Sequence, residues 1–203
     1  MKNILNDSIN YIVSGIERSG TSMLMQVLSA GCIPIAFDLS RPRDEHNPRG
    51  YFELEGGKII NKLMDGTFSF NEYKGQFIKI TAYGLKFLPN GKFKIIYIER
   101  NIEEILDSME KMTGYKDTNR EETKQVFIKL NNMIKKIIKD RDDIEVLFVN
   151  YNKILKEPNE NLREIINFIG LEDDNLQKMV NAIDEKLYRQ KRDEKITIHK
   201  NGL

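Results

Sequence analysis

A three-layer α/β domain with a mainly parallel sheet is the fold class that this sequence predicts, on three observations. Short β-branched or aromatic runs alternate with longer segments of helical periodicity along the chain. The first run, Tyr11-Ile12-Val13, leads into a glycine-bracketed turn and then a helical segment, the order in which α/β folds place ligand loops at the carboxyl ends of their strands. The 203-residue chain shows no repeat, low-complexity tract or linker long enough to divide it. One domain is therefore expected over residues 1–203, with residues 187–203 a basic tail.

The elements follow in order. After the first strand, Met23-Leu24-Met25-Gln26-Val27-Leu28 reads as helix, and Cys32-Ile33-Pro34-Ile35-Ala36-Phe37 as a second strand. Residues 38–50 are too polar for the core. Glu53 to Met64 places Leu54, Ile59, Ile60, Leu63 and Met64 at helical spacing. Phe77 to Ile80 is a strand, and Asn90-Gly91 a turn before Phe93 to Glu99, the strongest strand pattern in the chain. Asn101 is placed to cap a helix reaching about Met112, with Glu103 and Glu104 in its first turn. A long helix is expected over Glu121 to Lys139, a strand over Ile144 to Val149, and a helix over Pro158 to Ile169 that Gly170 ends. Asp173 to Lys186 is the last helical segment.

Ser14-Gly15-Ile16-Glu17-Arg18-Ser19-Gly20-Thr21-Ser22 carries the chemistry. A strand, a Gly-bracketed turn and a helix N-terminus together offer backbone N–H groups and the positive end of the helix dipole to an anion. Gly15, Gly20 and Ser22 have the spacing of the nucleoside-triphosphatase loop GxxxxGK[ST], but Thr21 stands where its lysine would be. The one cation in the turn is Arg18. A P-loop fold holding a phosphate-like group in a manner unlike an ordinary ATPase is expected.

Bulk properties narrow the rest. Lys+Arg (32) balances Asp+Glu (31), which predicts neither nucleic acid nor an anionic membrane as partner. No segment has the length of a membrane span or a signal peptide, and the single cysteine excludes an internal disulfide, so a cytoplasmic protein is expected. Cys32, between Gly31 and an apolar stretch, reads as a buried structural thiol. His46 and His199 are the only histidines, and no metal-ligand spacing is present.

Arg18-Ser19-Gly20-Thr21-Ser22 resembles the 5′-phosphosulfate loop of sulfotransferases that use 3′-phosphoadenosine-5′-phosphosulfate (PAPS). A second match supports it: Ile96-Tyr97-Ile98-Glu99-Arg100, with Ser108 two helical turns on, resembles the family's 3′-phosphate motif. Residues Asp44 to Glu53, containing Asn47-Pro48-Arg49-Gly50-Tyr51, and the segment from Val149-Asn150-Tyr151 to Leu171 resemble bacterial members. The resemblance spans roughly residues 11–171. It implies sulfonate transfer from PAPS to a hydroxyl or amine of a small-molecule, carbohydrate or peptide acceptor, with no metal. It further implies that Gly15, Arg18, Ser19, Gly20, Thr21 and Ser22 hold the 5′ end, and Arg100 and Ser108 the 3′-phosphate. Many members add a C-terminal basic residue; Arg189, Lys191 and Arg192 are the candidates here, although the glycine-rich turn that precedes it in the family is missing.

In-line attack on sulfur builds charge on the bridging oxygen, so Arg18 is expected to stabilise the leaving group. Three residues are candidates for the base: Asp38, near the place where some sulfotransferases carry an acidic one, and Glu45 and His46 in the next loop. Arg41, Arg43 and Arg49 either bind an anionic acceptor or neutralise the adjacent acids. Two rival functions remain: a P-loop small-molecule kinase, and a non-catalytic nucleotide-binding protein of the same fold.

Overall fold

Every residue of Asn10–Ser14 is buried, because a strand in the middle of a parallel sheet has apolar neighbours on both faces. Tyr11 and Val13 point to one layer and Ile12 to the other. In the computed structural model, which describes residues 4–184, this strand is β1. β2 (Phe77–Lys79), β3 (Phe93–Glu99) and β4 (Ile144–Asn150) join it in the order β2-β1-β3-β4, with every pairing parallel. Ile12 lies opposite both Ile78 and Ile95, and Ile96 opposite Leu147.

Helices cover both faces. On one, α1 (Thr21–Ala30), α5 (Tyr151–Lys156), α6 (Pro158–Ile169) and α7 (Leu176–Ala182) bury Leu24, Leu28, Ile154, Leu162, Ile165 and Met179 against Val13, Phe77, Ile96 and Ile98. On the other, α2 (Ile59–Met64), α3 (Ile102–Thr113) and α4 (Arg120–Lys139) bury Ile59, Leu63, Ile105, Ile134 and Ile138 against Ile12, Ile78, Ile95 and Tyr97. The three-layer expectation holds. Among the described residues, no helix is long and apolar enough to cross a membrane.

Most boundaries follow local chemistry. The Asn101 side chain accepts the Glu103 N–H at 2.9 Å and caps α3. Gly170, at φ 77°, ends α6. Asn150 caps α5, a helix absent from the sequence reading, by accepting the Lys153 N–H. Pro158 at the first turn of α6 separates the two helices.

Four expectations are corrected. Cys32 to Phe37 is not a strand: only the bridge Ile35–Phe77 forms, with Ala36 N–H donating to Phe77 O and Phe77 N–H to Pro34 O. Pro34 offers no N–H, and the chain turns away at Asp38. Cys32 is exposed rather than buried. It occupies the left-handed position (φ 58°) of a turn closing α1, in which Ile33 N–H donates to Leu28 O and Cys32 N–H to Ser29 O. That turn points the thiol outward and buries Ile33 against the core of Leu28. The helix expected from Glu53 begins only at Ile59, because Phe52, Glu55, Gly56 and Gly57 all adopt positive φ. Asp173 to Lys186 contains a single turn of 3₁₀ helix and then α7, which ends at Ala182; residues 185 and 186 lie outside the described residues.

The α3–α4 contact is electrostatic as well as apolar. Arg120 donates to Glu103, Asp107 and Glu110 at 2.8, 2.7 and 2.9 Å, and Lys124 Nζ meets Glu103 at 2.8 Å. Lys124 first, and Arg120 second, hold the Glu103 carboxyl down to about 2 from an ordinary 4.5. A depressed carboxylate stabilises the fold above its unfolded value, and that contribution disappears as pH falls through the folded one. Thermal melts from about pH 5 to about pH 2 should therefore show a falling Tm, and Glu103→Gln should remove part of the fall. A wild-type advantage over Glu103→Gln that persists at the acid end would contradict this account.

Candidate functional site

The loop between β1 and α1 sits at the carboxyl end of the sheet's central strands, as the topology requires. Its backbone is tightly constrained. A Cβ on Gly15 would stand 2.5 Å from both the Ile98 carbonyl oxygen and Ser19 Oγ. Gly20, at φ 111°, lies against the Tyr151 ring, with which a Cβ would collide. Arg18 itself is left-handed at φ 66°, an uncommon state for a non-glycine residue that clusters at ligand clamps. Gly20→Ala is expected to cost about 1–3 kcal/mol in urea unfolding, because strain and overpacking act together. A neutral result would mean that the loop relaxes freely.

No side chain caps the first turn of α1, so its N–H groups face the loop. Among the described residues, the buried hydroxyls of Ser14 and Ser19 lack a hydrogen-bond partner. Orphaned donors beside an uncapped helix terminus fit an anion in this cradle.

The cations come from separate elements. Arg18 Nε donates to Ser108 Oγ of α3 at 3.0 Å, so its partner is a hydroxyl rather than a carboxylate. Burial pushes the Arg18 guanidinium down from its ordinary value; Tyr51 opposes this and nearby Arg100 adds to it. Arg100, just beyond β3, donates to the Arg18 carbonyl at 3.2 Å and to Glu104 Oε2 at 2.9 Å. Its guanidinium lies 4.6 Å from the Tyr151 ring centre. Glu104 is wholly buried and also accepts from Asn152. Asp107, next to Ser108, turns away to Arg120, so it brings no negative charge to the hydroxyl.

Lys79 was not among the residues singled out in the sequence. It ends β2, is 4% exposed, and donates to Ser22 Oγ at 3.1 Å and to the Tyr51 carbonyl at 2.5 Å. Its Nζ lies 2.8 Å from Glu53 Oε1, and Arg41 holds Glu53 Oε2 at 3.0 Å. Burial pushes the Lys79 ammonium down from its ordinary value, with Glu53 opposing. The only local signal was a lysine inside an otherwise apolar strand, Phe77-Ile78-Lys79-Ile80.

These groups line a cleft of about 340 Å³. It gathers Arg18, Gly20, Thr21, Ser22, Arg100, Ser108 and His46, together with Lys79, Glu53 and Arg41. Gly15 and Ser19 lie beneath it in the loop. Asp38 and Glu45 do not line it. Partial burial would raise the Asp38 carboxyl, but the N–H groups of Ser40 and Glu55 outweigh it and hold the group below its ordinary value. Glu45 is exposed and lies 3.5 Å from the His46 ring. Arg41 stacks 3.4 Å above the Tyr51 ring centre, and Arg49 is engaged by Asp184 and the Ala182 carbonyl. Arg189, Lys191 and Arg192 lie outside the described residues. Among the described residues, no group of three or more His, Cys, Asp or Glu is placed to hold a metal.

A parallel α/β sheet with a cationic, carboxyl-end cleft defines an anion-binding α/β domain. The particular family follows from comparison: residues 8–201 match the sulfotransferase domain family, and the chain belongs to it. By that membership it is a sulfotransferase domain. Similar solved structures include a sulfotransferase from Mycobacterium tuberculosis H37Rv (14% identity, TM-score 0.57, 87% of this chain and 72% of that one). The sulfotransferase domain of the Synechococcus PCC 7002 olefin synthase is also similar (16%, 0.55, 94% and 82%), as is a mouse sulfotransferase complexed with PAP (17%, 0.53, 93% and 68%). Two structures of retinol dehydratase are also similar in fold, and the chain spans about two thirds of the length of these and of the mouse protein, 66%, 67% and 68%. A comparison with curated proteins finds no match.

Proposed function

We propose that the cleft binds PAPS as a P-loop site with two anion positions, and passes its sulfonate to a hydroxyl or amine of a small-molecule acceptor. The observation that carries this reading is the convergence of Arg18, Arg100 and Ser108 from three elements within hydrogen-bond reach. In it, the N–H groups of residues 20–22 and the hydroxyls of Ser19, Thr21 and Ser22 hold the 5′-phosphate, and Arg100 with Ser108 holds the 3′-phosphate. PAPS supplies the sulfonate and a phosphate leaving group. Arg18 and Lys79 place fixed positive charge where the departing bridging oxygen becomes negative, and burial of both strengthens that effect. The part of the cleft beside His46 and Tyr51 receives the small acceptor.

Titration calorimetry with adenosine 3′,5′-bisphosphate (PAP) and with ATP–Mg²⁺ tests the reading. Metal-independent binding of PAP, with transfer of radiolabelled sulfonate from PAPS to acceptors, is the expected result. Preference for ATP–Mg²⁺ would favour a kinase instead. Tight PAP binding with PAPS left intact would favour a non-catalytic nucleotide-binding role.

A further inference from the structure

We infer that Glu53 is the catalytic base that takes the acceptor's proton; the inference rests on the transfer reading above. Among the described residues, three carboxylates line the cleft, Glu17, Glu53 and Asp184; Glu17 is exposed and Asp184 is held by Arg49, whereas Glu53 is the most deeply buried of the three. Its side chain is 11% exposed, with one oxygen 2.8 Å from Lys79 Nζ and the other 3.0 Å from Arg41. Lys79 in turn touches Ser22 Oγ of the phosphate loop at 3.1 Å. The carboxylate is thus two hydrogen bonds from the hydroxyl placed at the donor's 5′ end, on the same wall of the cleft.

The backbone around it is shaped for this placement. Phe52 and Glu55 flank Glu53 closely and adopt φ 53° and 55°, left-handed values that non-glycine residues hold only when the surroundings impose them. A Cβ on Gly57 would stand 2.7 Å from Glu53 Oε2, so the carboxylate fills space that only glycine leaves. Asp38 completes the support: its carboxylate accepts the Glu55 N–H, and its own N–H donates to the Glu53 carbonyl. Strain, a glycine pocket and an Asx clamp are spent on orienting one side chain.

The step balances. The acceptor oxygen forms its bond to sulfur while its proton passes to a lone pair of Glu53 that Lys79 and Arg41 leave open. The bond from sulfur to the bridging phosphate oxygen breaks, and its electron pair leaves with PAP, next to Arg18. Lys79 sits between base and loop, so it orients Glu53 and faces the growing charge at once. His46, whose ring neighbours Glu45, lines the same cleft and is the competing assignment.

Glu53→Gln tests the role with two acceptors and PAPS: benzyl alcohol, which must lose its proton during attack, and 4-nitrophenol under alkaline conditions, where it is largely ionised already. The expected result is a fall in kcat of about 100-fold or more with benzyl alcohol and under about fivefold with 4-nitrophenol, with PAP affinity unchanged by calorimetry. Glu53→Asp, which keeps the charge but withdraws it by one methylene, should recover part of the loss. Equal losses with both acceptors, or a parallel loss of PAP affinity, would overturn the proposal in favour of a purely structural role. So would wild-type turnover by Glu53→Gln, or an acceptor-selective loss in His46→Gln alone. A wild-type protein that binds PAP but leaves PAPS intact with both acceptors removes the transfer reading and the base with it. That outcome is distinct from one in which wild type turns over and Glu53→Gln keeps pace.

Discussion

Arg100→Met is expected to abolish PAP binding and to destabilise the protein at the same time, and a second substitution separates the two effects. The Arg100 side chain is 7% exposed and its partner Glu104 is fully buried. Removing the guanidinium leaves a buried carboxylate without its cation, which costs about 3–5 kcal/mol. It also removes the fork proposed for the 3′-phosphate, with an expected loss of at least about 100-fold in PAP affinity. Arg100→Met combined with Glu104→Leu removes both charges and should restore most of the stability, because apolar replacements of a buried pair are often neutral. PAP affinity should remain lost. Urea unfolding and calorimetry on the single and double variants check both halves. A double variant that regains PAP binding would make Arg100 a structural partner of Glu104 and nothing more.

Arg18→Ala is expected to lower kcat by about 100- to 1000-fold, the usual cost of removing one preorganised group from a developing negative charge. The charge that Arg18 faces is full in PAP and partial in PAPS, so PAP affinity should fall while the KM for PAPS changes less. Stability should change little: Arg18 has a hydroxyl partner, and its loss strands no buried carboxylate. Steady-state kinetics with product inhibition by PAP give all three quantities. Loss of PAPS binding with kcat preserved would assign Arg18 to uniform binding rather than to the leaving group.

Elements governed by neighbours in sequence were legible. Asn101 caps α3 and Gly170 ends α6, because each depends on contacts within a few residues; Phe93–Glu99 was legible as a strand from its apolar run, but its place between β1 and β4 rests on distant pairings. The loop glycines and Arg18 were legible for the same local reason as the caps. Segment 32–37 was not. Its apolar run predicts a strand, but Pro34 and the left-handed turn at Cys32 leave only two ladder hydrogen bonds beside Phe77. Segment 53–58 was misread for a related reason: helical spacing of Leu54, Ile59 and Leu63 continues through two glycines whose positive φ stops the helix.

By itself, the sequence determined the layered parallel fold and the glycine-bracketed turn that carries Arg18 between the first strand and the first helix. Each is written in periodicity or in fixed spacing along one strand–helix unit. Only the tertiary structure decided which charges meet across units. Lys79 and Ser22 are brought together because β2 pairs with β1, which leads through the glycine turn into the first turn of α1, where Ser22 lies. Glu53 reaches them only because the strained 52–57 turn folds back over the same sheet edge, where Arg41 and Gly57 fix its carboxylate. An ion pair buried between distant segments leaves no local pattern, since its energy depends on distance and dielectric rather than on position in the chain.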